Sequence, residues 1–346
     1  MFLVIDSGTT NSRAYLVQDH GGVLDSRSKK VGVRDTSITG SRDTLRNGLV
    51  SLVTELLSAN DLVPAQIRFA IASGMITSEI GLIELPHLVA PVGITELREH
   101  VFRCTDPDVL PIGCPVYFIR GVKNMDTSSS TIHDLPSIDF MRGEEVQCVG
   151  IRRIFQVAGA CTIVVLSSHT KFIACDAEGR ILASKTSLSG QLYEALCSAT
   201  NIGASLKPRT GECSGGYHWE ELVNTAYDCV EQDGLTRVLL MPRFMQVLLH
   251  TDSSERQVFT DAAIAADDLR MFASLQEQGL LSGPVFLFGH AERCRMYTYL
   301  LQTRLCLDLE IQSISDPAQL AQMTVAGVAA IAEEFIRNEE ETGCSE

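Results

Sequence analysis

The first residues that could do chemistry lie between two apolar runs near the start of the chain. Residues 2–5 and 14–17 are apolar and favour β-strands, and the residues between them are small, polar or charged. We predict two antiparallel strands joined by a tight turn at Gly8. The backbone N–H groups and hydroxyls of such a turn suit a phosphate oxygen, and the carboxylate of Asp6 beside it can hold a hydrated Mg²⁺. The phosphate contacts would come from Gly8, Thr9, Thr10 and Asn11. The alternative is an ordinary polar hairpin.

Residues 163–182 repeat this arrangement about half a chain later. An apolar strand, a small polar turn, a second strand, an Asp-Gly turn and a third strand follow one another in both places. The repetition predicts a duplicated fold with two facing lobes. A nucleoside triphosphate would lie in a cleft between two hairpins that both bind phosphate.

Composition limits the classes of protein to which the chain can belong. A length of 346 residues with 45% hydrophobic residues is sufficient for two domains with cores of their own. The net charge of −15 argues against nucleic acid as a partner. No apolar run is long enough to span a membrane and no secretory signal is evident, so we expect no membrane partner. The 11 cysteines lack any Cys-x-x-Cys pair, which predicts reduced thiols in a cytoplasmic protein. The oligomeric state stays open, with a homodimer among the alternatives.

Several further segments have helical or strand periodicity. Apolar residues at helical spacing predict helices over 42–57 and 235–249. Residues 126–134 are polar and rich in Ser and Thr, which predicts a loop. Two acidic residues, Glu144 and Glu145, precede an apolar helical run, where carboxylates are favoured by the positive end of the helix dipole. Carboxylates at such a position either cap the helix or act as a general base.

Several short segments occur in one order along nearly the whole chain. They are Asp6-Ser-Gly-Thr-Thr-Asn11, Ser73-Gly-Met-Ile-Thr-Ser78, Glu84-Leu-Pro86-His-Leu, Met141-Arg-Gly-Glu-Glu-Val-Gln147, Ser168-His-Thr-Lys171, Thr186-Ser-Leu-Ser-Gly190-Gln-Leu, Phe286-Leu-Phe-Gly289 with Tyr297, and Val325-Ala-Gly327-Val. Together these motifs, in this order, resemble those of the sugar kinase, hsp70 and actin superfamily and, within it, the 2-dehydro-3-deoxygalactonokinases. The run beginning at Met141 is the most specific of them.

The resemblance implies a fold and an activity. The expected fold is a two-lobed α/β, actin-like ATPase (ribonuclease H-like) fold with duplicated mixed-sheet domains around a nucleotide cleft. The lobes would span 1–152 and 153–316, and a C-terminal helix over 317–337 would join the first. The expected enzyme is a carbohydrate kinase that uses ATP and Mg²⁺. Its substrate would be a sugar acid, 2-dehydro-3-deoxy-D-galactonate, and its product the 6-phosphate.

The resemblance also implies roles for individual residues. Glu144 corresponds by position to the catalytic base, and Glu145 and Asp139 are the alternatives. Met75 and Ser78 lie in the loop expected over the sugar acid. Arg142 adjoins the proposed base and suits the carboxylate of the substrate. The ATP contacts of the second lobe would be Ser168, His169, Lys171 and Gly289.

The sequence departs from the family pattern at Leu82, Arg120 and Ser167. An aromatic residue, a Pro-Gly turn and a glycine, respectively, are usual at these positions. A serine where the backbone requires positive φ would strain the second turn. Two other interpretations therefore stay open: a different sugar or sugar-acid kinase of the superfamily, or a nucleotide-binding paralogue with impaired catalysis.

Overall fold

The computed structural model describes residues 1–212 and 214–343, and residues 334–343 by their backbone alone. The chain divides into two compact units. Unit 1 comprises residues 1–160 and 175–184 together with the C-terminal segment from Pro317 onward. Unit 2 comprises residues 161–174 and 185–316.

Unit 1 is built around a mixed sheet. Its strands are β1 (Phe2–Ser7), β2 (Ser12–Val17), β3 (Val23–Lys29), β4 (Ala70–Gly74), β5 (Leu88–Val89), β6 (Phe102–Cys104), β7 (Val116–Phe118), β8 (Val122–Lys123) and β9 (Phe140–Met141). Six of them form one sheet in the order β3-β2-β1-β4-β7-β6, and β5, β8 and β9 form a small second sheet. The strands β1, β2 and β3 pair antiparallel, whereas β4 and β7 extend the sheet in parallel.

A second mixed sheet repeats this topology. Its strands are β10 (Cys161–Leu166), β11 (Thr170–Cys175), β12 (Ile181–Ser187), β13 (Val285–Gly289) and β14 (Ile311–Ile314). They lie in the order β12-β11-β10-β13-β14, which matches β3-β2-β1-β4-β7 strand for strand. The registers also correspond, because Ser7 pairs with Gly74 and Leu166 pairs with Gly289. The duplication predicted from the two hairpins is therefore present in both sheets.

Helices flank these sheets. In chain order they are α1 (Val33–Thr39), α2 (Asp43–Ala59), α3 (Ile94–Glu99), α4 (Glu144–Ile154), α5 (Ser189–Ala199), α6 (Gly203–Leu206), α7 (Trp219–Asp233), α8 (Leu235–Val238), α9 (Met241–Leu248), α10 (Ser253–Glu277), α11 (Ala291–Thr303) and α12 (Pro317–Gly343). None of the helices within the described residues is long and apolar enough to cross a membrane.

The cores explain why the apolar patterns formed these elements. In unit 1, one face of β1 and β2 packs on the apolar stripe of α2, which includes Leu45, Leu49 and Leu52. Glycines permit α12 to cross α4 closely, since a Cβ at Gly327 would lie 1.8 Å from the Val146 carbonyl oxygen. In unit 2, α7, α10 and α11 share one apolar cluster with β10 and β13. These packed layers hold the strand ends at which the candidate site lies.

One predicted helix was wrong. Residues 235–249 form two helices, α8 and α9, instead of the single helix that their apolar spacing predicted. Pro242 lies in the first turn of α9, where its missing N–H costs no hydrogen bond. In a continuous helix, Pro242 would leave the Val238 carbonyl oxygen without its N–H donor, and the proline ring would clash with that carbonyl, so the helix is interrupted here.

Candidate active site

The turn between β1 and β2 is closed by short hydrogen bonds. The Gly8 N–H donates to the Asn11 carbonyl oxygen at 3.0 Å. The Ser7 and Ser12 hydroxyls lie 2.9 Å apart, and Ser12 Oγ donates to the Val31 carbonyl oxygen at 2.8 Å. Both serines are buried, whereas Thr10 is exposed. The turn therefore has a fixed base and an accessible outer side.

The connection between β3 and α1 packs against this first turn. The Val33 and Arg34 N–H groups donate to the carbonyl oxygens of Gly8 and Thr9, at 3.2 and 2.9 Å. A Cβ at Gly32 would lie 2.4 Å from the Thr9 carbonyl oxygen, so only glycine fits at this position. Because the N–H and C=O of a trans peptide point in opposite directions, the turn directs its N–H groups away from α1. Sequence reasoning missed this role of Gly32.

Asp6 lies at the end of β1, one residue before Ser7. Its side chain is 23% exposed, and Arg13 approaches it at 3.5 Å. Burial raises the pKa of Asp6; the charge and hydrogen bond of Arg13 lower it, and the charge of Glu144 raises it. The fold thus brings the predicted metal ligand and the predicted base, which are far apart in sequence, into one electrostatic environment.

Two glycines make this proximity sterically feasible. Gly74 ends β4 with φ of +92°, and Gly143 precedes α4 with φ of +109°. A Cβ at Gly143 would lie 3.3 Å from the Gly74 Cα, and a Cβ at Gly74 would lie 2.7 Å from the Ser7 carbonyl oxygen. The ends of β1 and β4 and the beginning of α4 therefore approach each other through backbone atoms. This approach places Glu144, the first residue of α4, near Asp6.

The three carboxylates weighed as the base occupy different environments. Glu145 is fully buried, and both of its oxygens accept from the Gly143 N–H, at 2.9 and 2.7 Å. Burial and the charge of Glu144 raise the pKa of Glu145 to about 8. Asp139 accepts a hydrogen bond from the Phe140 N–H at 2.7 Å. Glu144 is partly exposed, and it is the one of the three whose charge raises the pKa of Asp6.

The Arg142 guanidinium is held by three groups of unit 1. It donates to Thr77 Oγ1 at 2.8 Å and to the Leu85 carbonyl oxygen at 2.6 Å, and it lies 3.5 Å from His87 Nδ1. Burial lowers its pKa, and the charges of three glutamates raise it: Glu145, Glu79 and Glu84. None of the carboxylates whose side chains the structure describes forms a salt bridge with Arg142. Sequence reasoning named neither Thr77 nor His87 as a site residue, although both lie inside the matching motifs.

The remaining predicted residues of unit 1 lie close to this arginine. Met75 is half-buried in the single helical turn Met75–Thr77. Ser78 is 1% exposed, and its hydroxyl donates to the Met75 carbonyl oxygen at 2.7 Å. Leu82, where an aromatic residue was expected, is buried in the core shared with α2. The leucine therefore fills an apolar position at this departure from the family pattern.

The second turn joins β10 and β11. The Ser167 N–H donates to the His169 carbonyl oxygen at 3.2 Å, and Ser168 Oγ lies 3.3 Å from His169 Nδ1. Neither Ser167 nor Ser168 has positive φ, so serine is accommodated here without backbone strain. Lys171 is buried within β11. A Cβ at Gly289 would lie 2.4 Å from the Leu166 carbonyl oxygen. The close packing of β13 against β10 is therefore enough to explain why this residue is a glycine.

Comparison with known proteins decides the family. The chain matches the model of the 2-keto-3-deoxy-galactonokinase family over residues 6–331. The chain belongs to the 2-keto-3-deoxy-galactonokinase family. It is 21% identical over 330 residues to a probable 2-dehydro-3-deoxygalactonokinase of Rhizobium meliloti (strain 1021), covering 95% of this chain and 97% of the relative.

A solved structure shares the fold of this kinase. The crystal structure of a candidate 2-dehydro-3-deoxygalactonokinase from Sinorhizobium meliloti superposes with a TM-score of 0.73 at 19% identity, covering 97% of this chain and 99% of that one. The predicted α/β fold class with duplicated mixed sheets is confirmed. The predicted activity is also confirmed, since the family consists of carbohydrate kinases, which transfer a phosphoryl group to an alcohol.

The residues around Asp6 fit a magnesium ion. Within the described residues no group of three or more His, Cys, Asp or Glu side chains could hold a metal ion by itself. Mg²⁺ does not need such a cage, because in kinases it is bound by one or two carboxylates, by waters and by the phosphates of the nucleotide. Asp6 and Glu144 provide hard oxygen donors, and burial raises the pKa of Asp6 although the charge of Arg13 lowers it. A cation beside Asp6 would favour its ionised form.

Proposed function

We propose that this kinase transfers the γ-phosphoryl group of ATP to the C6 hydroxyl of 2-dehydro-3-deoxy-D-galactonate, in the cytoplasm and with Mg²⁺. The family match supports the reaction class and the sugar-acid substrate. The observation that carries the assignment of roles is the placement of Asp6, Arg142 and Glu144. The charges of Asp6 and Glu144 interact, and Arg142 immediately precedes Gly143 and α4.

Each of these side chains has a distinct task in the proposal. Asp6 holds Mg²⁺, which when bound neutralises charge on the transferring phosphates. Glu144 accepts the proton of the attacking hydroxyl, a task for which a partly exposed carboxylate at a helix start is suited. The Glu145 carboxylate accepts the Gly143 N–H and so holds the start of α4 in place. Asp139 and Glu145 are the alternatives for the base.

The nucleotide and the sugar acid would be bound by the remaining predicted residues. We assign Gly8, Thr9, Thr10 and Asn11 of the first turn, with Ser168, His169, Lys171 and Gly289 of unit 2, to ATP. Met75 and Ser78 belong to the segment assigned to the sugar acid. Phosphoryl transfer depends mainly on positioning and charge stabilisation, and rigid turns with directed N–H groups serve both. Unit 1 would thus be the substrate-binding part of the kinase and unit 2 the part that binds adenosine.

Arg142 is the residue to which we assign substrate selection. Its guanidinium is fixed by Thr77 and Leu85, and no salt bridge from a described side chain neutralises it. Burial already makes its charged form less favourable, as the lowered pKa indicates. A carboxylate ligand would compensate that charge with two parallel hydrogen bonds. A neutral sugar would bring no negative charge to the guanidinium and should bind poorly.

The test is a coupled assay of ADP release with 2-keto-3-deoxy sugar acids, neutral hexoses and glycerol as acceptors. We expect turnover with the 2-keto-3-deoxy sugar acids and little with the neutral compounds. Arg142→Gln should raise KM for the sugar acid by roughly 10²-fold while KM for ATP stays within about twofold. The matched control is Arg103→Gln, which changes an exposed arginine of the same unit. Preference for a neutral polyol, or an unchanged KM in the Arg142 variant, would overturn the substrate assignment.

A further inference from the structure

Unit 2 contains a buried carboxylate to which the proposed function gives no task. Asp268 lies in α10 and is 3% exposed. Its neighbours on the buried side of the helix include Leu269 and Phe272, which belong to the apolar core. An ionised carboxylate in such surroundings destabilises the fold unless hydrogen bonds or a cation compensate it.

The partners of Asp268 are hydroxyl groups. Ser189 Oγ lies 2.6 Å from each carboxylate oxygen, and the Tyr297 hydroxyl donates to Oδ2. Among the side chains that the structure describes, no Lys or Arg forms a salt bridge with Asp268. Burial and the Asp268 charge raise the pKa of Tyr297 far above its usual range, so Tyr297 keeps its proton and remains a donor. The carboxylate thus joins two hydroxyls from different helices, α5 and α11.

The connection through Tyr297 leads to the carbonyl of Ser167. The Tyr297 hydroxyl lies 3.4 Å from both Thr170 Oγ1 and Arg293 Nη2. Arg293 Nη2 also donates to Thr170 Oγ1 at 3.2 Å, and Arg293 Nη1 donates to the Ser167 carbonyl oxygen at 3.0 Å. A fixed tyrosine therefore holds the arginine that binds the first carbonyl of the second turn.

The connection through Ser189 leads to the carbonyl of Ser168. Ser189 is the first residue of α5, and the next two residues contact the turn. A Cβ at Gly190 would lie 2.2 Å from the Ser167 carbonyl oxygen, and the Gln191 N–H donates to the Ser168 carbonyl oxygen at 2.8 Å. Holding the Ser189 hydroxyl therefore also holds the start of α5 against the turn.

Both connections fix the direction of N–H groups in the second turn. A trans peptide is planar, so fixing the Ser167 and Ser168 carbonyls also fixes the N–H groups of Ser168 and His169. Consecutive N–H groups held in one orientation form an anion-binding site. We infer that Asp268 is a positioning residue for nucleotide phosphate: through Tyr297 and Ser189 it holds the second turn in the conformation that phosphate binding requires. This inference rests on the proposed assignment of that turn to ATP.

The inference predicts a loss of affinity that is specific to phosphate. Isothermal titration calorimetry with ADP and with adenosine separates the turn from the rest of the nucleotide site. In Asp268→Asn the affinity for ADP should fall roughly tenfold, since about 1.4 kcal/mol of positioning is lost, whereas adenosine should bind within about twofold of wild type. The matched control is Asp267→Asn, the same change at the preceding residue of α10, whose side chain is 41% exposed. It should leave both affinities unchanged.

The outcomes separate this inference from the proposed function. An equal loss of ADP and adenosine affinity, or no loss, would show that Asp268 supports only the fold. If Asp268→Asn does not fold, Ser189→Ala removes one connection and should weaken ADP about threefold without affecting adenosine; unchanged ADP affinity there would overturn the inference. If the wild-type protein binds ADP and the variant does not, but the wild-type protein phosphorylates no sugar acid, the inference holds and the proposed function fails. A wild-type chain that does not bind ADP would overturn both.

Discussion

The turns of the two sheets, residues 7–12 and 167–169, share one construction but differ in chemistry. Each follows the central strand of its sheet, and each packs against a glycine near the start of the helix after the third strand. These glycines are Gly32 in unit 1 and Gly190 in unit 2. In both places, N–H groups of residues that follow the glycine donate to carbonyls of the turn. The same arrangement of backbone groups around the turn is therefore present in both units, together with the same strand order.

The residues behind the two turns have diverged. Asp6 pairs in register with Ser73, and the corresponding pair in unit 2 is Val165 with Phe288. A partly exposed carboxylate thus occupies a position that is apolar and buried in the other sheet. The first turn is fixed by backbone groups and by the hydroxyls of Ser7 and Ser12 at its own ends, whereas Arg293 and Tyr297, from the separate helix α11, contribute to fixing the second. Under the proposed function, the shared topology would supply the phosphate-binding geometry in both units, and Asp6 alone would decide which unit holds the metal.

Removing the carboxylate of Asp6, in the strand before the first turn, should have the largest effect. Asp6→Asn should lower turnover by roughly 10³-fold, because the metal loses its protein ligand while the shape of the side chain is kept. The folded-state pKa of Asp6 is raised, so its charge destabilises the fold above the pKa of an unfolded Asp. The variant should therefore melt no lower than wild type at pH 8. Wild-type turnover in the ADP-release assay would show that the two turns do not differ in the way we propose.

The next effect distinguishes the three carboxylates considered for the catalytic base. Glu144→Gln should lower kcat by roughly 10²-fold, since it removes the proton acceptor without changing the size of the side chain. Glu145→Gln and Asp139→Asn serve as comparison variants, and each should lower kcat less, because those groups are assigned to the helix start and the preceding loop. Steady-state kinetics at saturating ATP measures all three. A larger loss in either comparison variant would transfer the role of base to that residue.

Replacing Gly32 or Gly190 by alanine should have a smaller effect, a loss of stability that is equal in the two units. Gly32→Ala and Gly190→Ala would place a Cβ 2.4 Å and 2.2 Å from a turn carbonyl oxygen, respectively. Each should lower the free energy of unfolding by about 1–3 kcal/mol, measured by urea denaturation. Gly8→Ala is the control, because a Cβ there makes only an ordinary 3.5 Å contact with the Asn11 carbonyl oxygen. A stable Gly190 variant beside an unstable Gly32 variant would show that the two turns are not held alike.

The smallest effect is a pH dependence of stability in unit 1. The pKa of Glu145 is raised from 4.5 to about 8, so between these values the unfolded chain has released a proton that the native state retains. The contribution of Glu145 to stability is therefore highest at pH 4.5 and falls as the pH rises to 8. Glu145→Gln mimics the protonated form. Its melting temperature relative to wild type should increase by a few degrees from pH 5 to pH 8. A constant difference would contradict the buried environment of Glu145.

Local pattern was sufficient to predict much of the fold. Alternating strands, small turns and their repetition indicated the duplicated sheets, and the periodic apolar residues of 42–57 correspond to α2, Asp43–Ala59. The helix over 235–249 was predicted wrongly because its apolar spacing continues across Pro242, and the backbone restriction of that proline was given too little weight. The motif around Gly143 gave the position of α4 correctly. Its residues alone favoured capping for the glutamates, and only the family resemblance favoured catalysis by Glu144.

The sequence by itself determined the family, the duplicated strand order and the presence of polar turns, because these follow from neighbouring residues and short periods. Only the tertiary structure decided which distant side chains meet. Asp6 and Glu144 interact because Gly74 and Gly143 allow three elements to approach through their backbones. Asp268 reaches the second turn through Ser189 and Tyr297, which come from separate helices. Such contacts depend on how helices pack on a sheet, and no local periodicity in the chain carries that information.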